Sequence, residues 1–159
     1  MINEESSCEP ENIQTEERFI EKVHDNTPTI LESDIESLKS LDKYYFKTMF
    51  PDYLYEINFP INCKLEKINN FSFSAPGKIS YFYSIKFPPS LKEIISKALH
   101  NCIFLSQISF LKDENGNNNL EFIYDEAFLP TIIQAINIPE NVKHIGNHCF
   151  PPTLQDIVF

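Results

Sequence analysis

The sequence predicts a mainly β fold: four to five irregular coils stacked through short parallel strands as a solenoid, behind an N-terminal helical cap. Three observations predict it. The apolar positions of 136–150 are Ile136, Ile138, Val142, Ile145, Cys149 and Phe150, a spacing that fits neither a helix period nor plain alternation. The pattern Phe50-Pro51, Leu54, Ile57, Phe59 returns as Phe150-Pro151, Leu154, Ile157, Phe159 at equal offsets. Between these two, the same pattern recurs with a period in the twenties, the range of strand-based repeat folds.

Residues 1–26 read as an acidic, disordered leader. Residues 1–42 hold 12 Asp or Glu against three Lys or Arg, whereas 43–159 hold 11 against 10. The net charge of −10 therefore sits almost wholly in the first quarter of the chain. Such acidic stretches with few apolar anchors cannot offset the entropy of ordering. Neither part carries the basic stripe that would neutralise phosphates, so nucleic acid is not an expected partner.

Residues 27–49 read as the capping helix. Thr27-Pro28 offers an N-cap with proline at the first helical position. Leu31, Ile35, Leu38, Leu41 and Tyr45 then follow at three- and four-residue steps, one face of a helix from about Thr29 to Thr48. A cap is what the first coil of a stack needs to cover its core.

Residues 50–159 read as the coils. First strands are Leu54-x-x-Ile57-x-Phe59, Phe82-x-x-Ile85-x-Phe87, Leu105-x-x-Ile108-x-Phe110, Ile133-x-x-Ile136-x-Ile138 and Leu154-x-x-Ile157-x-Phe159. Turns follow at Pro60, Pro88 and Pro139, with Leu111 in the third coil. Second strands are Leu65-x-x-Ile68, Leu91-x-x-Ile94, Leu120-x-x-Ile123 and Val142-x-x-Ile145. Corners close at Ser72-Phe73, Ala98-Leu99, Ala127-Phe128 and Cys149-Phe150. Asp113 to Asn119 is polar, holds Gly116 and reads as an inserted loop.

The charges support this register. The residue after each second-strand Leu or Val is Glu66, Lys92, Glu121 and Lys143, alternating in sign along the stack. Equivalent residues of neighbouring parallel strands sit about 4.8 Å apart, so opposite charges would face one another.

These residues carry a resemblance. Ile136-x-Ile138-Pro139-x-x-Val142-x-x-Ile145-Gly146-x-x-Cys149-Phe150 resembles the unit of the BspA-like leucine-rich repeat family, and so does Leu105-x-x-Ile108-x-Phe110 preceded by Ala98-Leu99 and Cys102. The resemblance covers about two-thirds of the chain. It implies a right-handed parallel-β leucine-rich-repeat solenoid and a binding or adhesive role, with no catalytic residues to carry over.

The chemistry in the residues agrees with a non-enzymatic reading. His144, His148 and Cys149, with His100 and Cys102 on another coil, are the nearest approach to a metal set. In the coil frame His144 points outward and Cys149 inward, so no three ligands converge and no metal is expected. With only 3 Gly, phosphate-cradling loops are not expected, and there is no Gly-x-Ser-x-Gly elbow. No cofactor is expected. The four cysteines lack Cys-x-x-Cys spacing and read as reduced thiols.

What remains is the outer face of the first strands: Glu56, Asn58, Ser84, Lys86, Gln107, Ser109, Asn137 and Asp156. It is polar and nearly neutral, which suits contact with a protein partner. The expected function is a protein–protein interaction module. The alternative is a cell-surface or adhesion protein of the same repeat family. No membrane span and no secretory signal are legible, so a cytoplasmic location is expected. Leu154 to Phe159 form a first strand with nothing stacked after it, so end-to-end self-association through the C-terminal coil is expected as well.

Overall fold

In each full repeat the apolar triplet of a first strand is followed by a turn and then by the apolar pair of a second, so two short strands form per repeat. A computed structural model describes residues 21–22, 28–29, 39–41, 55–74 and 79–159. The regular elements among the described residues are all strands. They are β1 (Glu21–Lys22), β2 (Pro28–Thr29), β3 (Ser40–Leu41), β4 (Tyr55–Asn58), β5 (Lys67–Ile68) and β6 (Phe82–Phe87), then β7 (Glu93–Ile94), β8 (Gln107–Phe110), β9 (Phe122–Ile123), β10 (Ala135–Asn137), β11 (His144–Ile145) and β12 (Asp156–Val158).

First and second strands build separate sheets. The second strands form one five-stranded sheet in the order β11-β9-β7-β5-β3. The first strands form a five-stranded sheet, β1-β2-β4-β6-β8, and a separate pair, β10-β12. Every pairing is parallel except β1 with β2, which is antiparallel. The register aligns Ile57, Ile85 and Ile108 on one side and Leu41, Ile68, Ile94, Ile123 and Ile145 on the other. Equivalent apolar residues therefore stack directly on one another, as the spacing predicts.

The core lies between the sheets. Ile68, Ile85, Ile94 and Ile123 are fully buried, with Leu65, Leu91, Leu105 and Leu120 beside them. Phe73, Phe82, Phe87 and Phe128 fill the corners and the turn side. Burying each such side chain contributes roughly 1.5–3 kcal/mol before entropy is charged against it. Burial declines toward the C-terminus, where Val142, Ile145 and Leu154 are only half-buried.

The corners share one backbone device. Phe71, Lys97, Glu126 and His148 each stand three residues after the second-strand Ile, and all have φ between 50° and 58°. This left-handed conformation turns the chain, and it places their N–H groups along the stack. Phe71 N–H donates to Lys97 O at 3.1 Å, Lys97 N–H to Asp125 O at 3.2 Å and Glu126 N–H to Asn147 O at 3.0 Å. Those bonds offset the steric cost that non-glycine residues meet at positive φ.

Two expectations need correction or delimiting. Within the predicted helix of 27–49, Pro28–Thr29 is β2 and Ser40–Leu41 is β3. The physical reason is a shared spacing. Leu38-x-x-Leu41 is a three-residue step on a helix face, and it is equally the apolar-x-x-Ile step of the second strands, Leu-x-x-Ile in three of them and Val142-x-x-Ile145 in the fourth. Apart from Lys39, the rest of that span lies outside the described residues. So does the acidic leader of 1–26, apart from Glu21–Lys22 in β1.

Candidate protein-contact surface

The predicted charge ladder is formed. Lys92 Nζ lies 3.2 Å from Glu66 and Lys143 Nζ lies 2.8 Å from Glu121, while in the next column Lys67 Nζ lies 3.1 Å from Glu93. Backbone bonds set these side chains in register. The Glu66 carbonyl accepts from both Lys92 N–H and Glu93 N–H, at 2.8 and 3.1 Å, and the Glu121 carbonyl serves Lys143 and His144 in the same way. The Lys39 carbonyl does so for Glu66 and Lys67, which adds a fifth rung, Lys39, to the alternating column. The side chains are largely exposed, so each pair contributes at most about 1 kcal/mol.

A second column was not legible. Ser90 Oγ donates to Leu65 O at 2.8 Å and Asn119 Nδ2 to Pro89 O at 2.9 Å, and Asn141 Nδ2 donates to Asn118 O. Each side chain caps a turn carbonyl of the preceding repeat, because turn carbonyls lack strand partners. The second-strand side is thus held by its own charges and amides.

The first-strand side is different. Of the predicted face, Lys86, Gln107, Ser109, Asn137 and Asp156 are exposed, and Glu56 and Asn58 are half-buried. Ser84 is instead buried, its short side chain flanked in register by Glu56 and Gln107. The face is also irregular there. The ladder shifts between Tyr55 and Glu56, and Tyr83 has no partner of its own across β4. Its hydroxyl donates to Glu56 Oε1 at 2.9 Å, and the accepting carboxylate holds the Tyr83 phenol above its ordinary value.

Beside this face runs a row that the sequence reading missed. Tyr81, Phe104 and Ile132 each stand one residue before the first apolar residue of a first strand. Tyr81 and Phe104 stack with ring centroids 5.4 Å apart. Phe104 is 36% and Ile132 46% exposed, and Ile79 and Ile103 nearby are exposed too. Ile132 N–H donates to Leu105 O at 2.9 Å, which joins the third and fourth repeats at this end.

Beyond that bond no ladder joins β8 to β10, although the two strands stay in contact. A cleft of about 510 Å³ is lined there by β8, the loop that follows it, β10 with its following turn, and Val158 and Phe159. That loop folds on Asp113, whose Oδ1 accepts from Asn115 N–H at 2.9 Å and Asn117 N–H at 2.8 Å. These bonds hold the Asp113 carboxyl below the usual carboxylate range. Gly116, at φ 80°, makes the turn.

A family model described as BspA type Leucine rich repeat region matches residues 20–155 in six copies. The chain belongs to the BspA-type leucine-rich repeat family. The BspA-type match begins well before Phe50, in keeping with β2 and β3 pairing as repeat strands. No curated protein and no solved structure matches the chain.

The titratable side chains of these BspA-type repeats are dispersed. His144 lies exposed on β11 with its ring 5.8 Å from that of Tyr124, and His148 is exposed at a corner. Cys149 is buried, and its thiol donates to Tyr124 O at 3.0 Å. Among the described residues no three His, Cys, Asp or Glu side chains gather where a metal could sit. No helix among them is long and apolar enough to cross a membrane.

Proposed function

We propose that this chain is a non-enzymatic protein-binding module, a solenoid of BspA-type repeats that meets its partner with the first-strand side. One observation carries this reading: the row of half-buried Tyr81 and exposed Phe104 and Ile132 beside a polar, nearly neutral face. Interfaces combine an apolar, often aromatic centre with a polar rim, and depart from isolated surface residues in just that respect. The flanking Lys86, Gln107, Ser109 and Asn137 supply the rim.

Affinity recovery with three chains tests the proposal: wild type, Ile132→Asp and Lys143→Ser. A partner held by wild type and Lys143→Ser but lost from Ile132→Asp is the expected outcome. Identical recovery by all three would contradict it. Copies of this chain are further proposed to associate through β12, whose Ile157, Val158 and Phe159 are exposed. Sedimentation of wild type against Ile157→Lys over a wide concentration range tests that contact, with the variant expected to be the more monomeric.

A further inference from the structure

We propose that Asn115 is a modification site, deamidated without an enzyme at a rate that the Asp113 turn holds down. The proposal is independent of the protein-binding reading above. Asn115-Gly116 is the one Asn-Gly pair in the sequence. Both residues are exposed, and the Asn115 carboxamide makes no hydrogen bond among the described residues. The next asparagines are tied instead: Asn118 Nδ2 donates to Leu111 O at 2.7 Å and Asn119 Nδ2 to Pro89 O at 2.9 Å. Glycine leaves its own amide nitrogen unhindered, and a Cβ added at Gly116 would meet nothing within 4 Å. The loop thus offers the reactive pair, a free carboxamide and open space for ring closure.

The step needs only water. Hydroxide takes the proton of the Gly116 backbone nitrogen, and that nitrogen attacks Cγ of Asn115. The new N–C bond closes a succinimide, while the side-chain nitrogen takes a proton from water and leaves as ammonia. Water then opens the ring at either carbonyl and gives aspartate or isoaspartate. The folded loop opposes the first two events. Gly116 N–H donates to Asp113 O at 2.9 Å, so its proton is not free. Asn115 N–H and Asn117 N–H both donate to Asp113 Oδ1, at 2.9 and 2.8 Å, and Asp113 N–H donates to Asn117 O at 2.8 Å. These bonds fix the backbone on both sides of Asn115, which ring closure must rotate. Reaction therefore proceeds from the fraction of loops that have opened. Isoaspartate lengthens the main chain by a carbon and draws Gly116 N–H out of register with Asp113 O. Either product adds a carboxylate beside Glu114. Gly116 and Asn117 line the cleft beside β8, so the change alters that wall.

The test is to age the full chain in mildly alkaline buffer and follow it by peptide mass spectrometry, with electron-transfer fragmentation to tell isoaspartate from aspartate. The samples are native wild type, wild type in guanidinium, Asp113→Ala and Asp113→Asn. Acid is expected at Asn115 ahead of every other asparagine among the described residues. Native wild type is expected to react at least about tenfold more slowly than the same chain in guanidinium. Asp113→Ala removes the carboxylate but no core contact, so it is expected to keep the wild-type melting temperature and to react about threefold or more faster than native wild type. Asp113→Asn keeps an acceptor oxygen and is expected to stay near the wild-type rate. Equal rates in native and unfolded wild type, equal rates in Asp113→Ala and wild type, acid formed first at another asparagine, or no acid at Asn115 in either state would overturn the proposal. The comparison of native with unfolded wild type decides the matter even if a variant melts early.

Discussion

Lys143 Nζ lies 2.8 Å from a carboxylate oxygen of Glu121, one repeat earlier, on the outside of the second-strand sheet. Ile94 lies inside the same sheet with no exposed surface. The two positions separate register from stability. Ile94→Ala should cost about 2–5 kcal/mol, since it leaves a cavity in a stacked core. Lys143→Ser should cost less than about 1 kcal/mol. Urea denaturation of both variants reads the difference directly, and equal losses would contradict the inward and outward assignment.

The two described glycines should fail differently on substitution. At Gly146 an added Cβ would lie 2.5 Å from Asp125 N and 2.7 Å from Tyr124 C, both backbone atoms that cannot turn away. Gly146→Ala should therefore destabilise by about 1–3 kcal/mol through overpacking. Gly116 has open space around it but φ 80°. Gly116→Ala should be strained by about 1–2 kcal/mol, and Gly116→Asn should recover part of the loss. Thermal melts of the three variants check the order.

Burial pushes the Cys63, Cys102 and Cys149 thiols above the ordinary value of 9.0, Cys102 most strongly. A group whose pKa is raised by folding contributes stability that is fully present below its unfolded value and lost as pH climbs toward the folded one. The denaturation midpoint should hence fall as pH rises past about 9, and Cys102→Ala should flatten that fall. In the folded protein these three thiols should react with an aromatic disulfide reagent only after denaturant is added.

Asp113 behaves in the opposite sense. Two backbone N–H bonds lower its pKa, so the order it gives the loop is present above the ordinary carboxylate range and lost as pH falls through the folded value. Amide exchange at Asn115 and Asn117, corrected for intrinsic rates, should quicken as the solution is acidified. Asp113→Ala should show the quick rate at every pH.

Much of this architecture is legible in the sequence because parallel stacking repeats a residue type at the same place in each repeat. Glu66, Lys92, Glu121 and Lys143 could be read as one column for that reason, and so could Ile57, Ile85 and Ile108. Leu41 was misread because a helix face and a second strand share the three-residue step. The row proposed as the contact was also written in the sequence. Tyr81, Phe104 and Ile132 precede Phe82, Leu105 and Ile133, and aligning that column would have shown three large apolar residues outside the coil. The cleft was not legible. β8 and β10 share no ladder, although their matching patterns, Leu105-x-x-Ile108 and Ile133-x-x-Ile136, predict one. Ser84 was misplaced for a related reason, since alternation sets direction but the neighbours' length sets exposure.

The most direct measurement is hydrogen exchange on the complex with whichever protein the wild-type chain recovers. Amides slowed by binding should fall within 79–87, 103–110 and 132–137, along the row of Tyr81, Phe104 and Ile132 and the adjoining first strands. Protection confined to the second-strand side, around Glu66, Lys92, Glu121 and Lys143, would contradict the assignment of the contact surface.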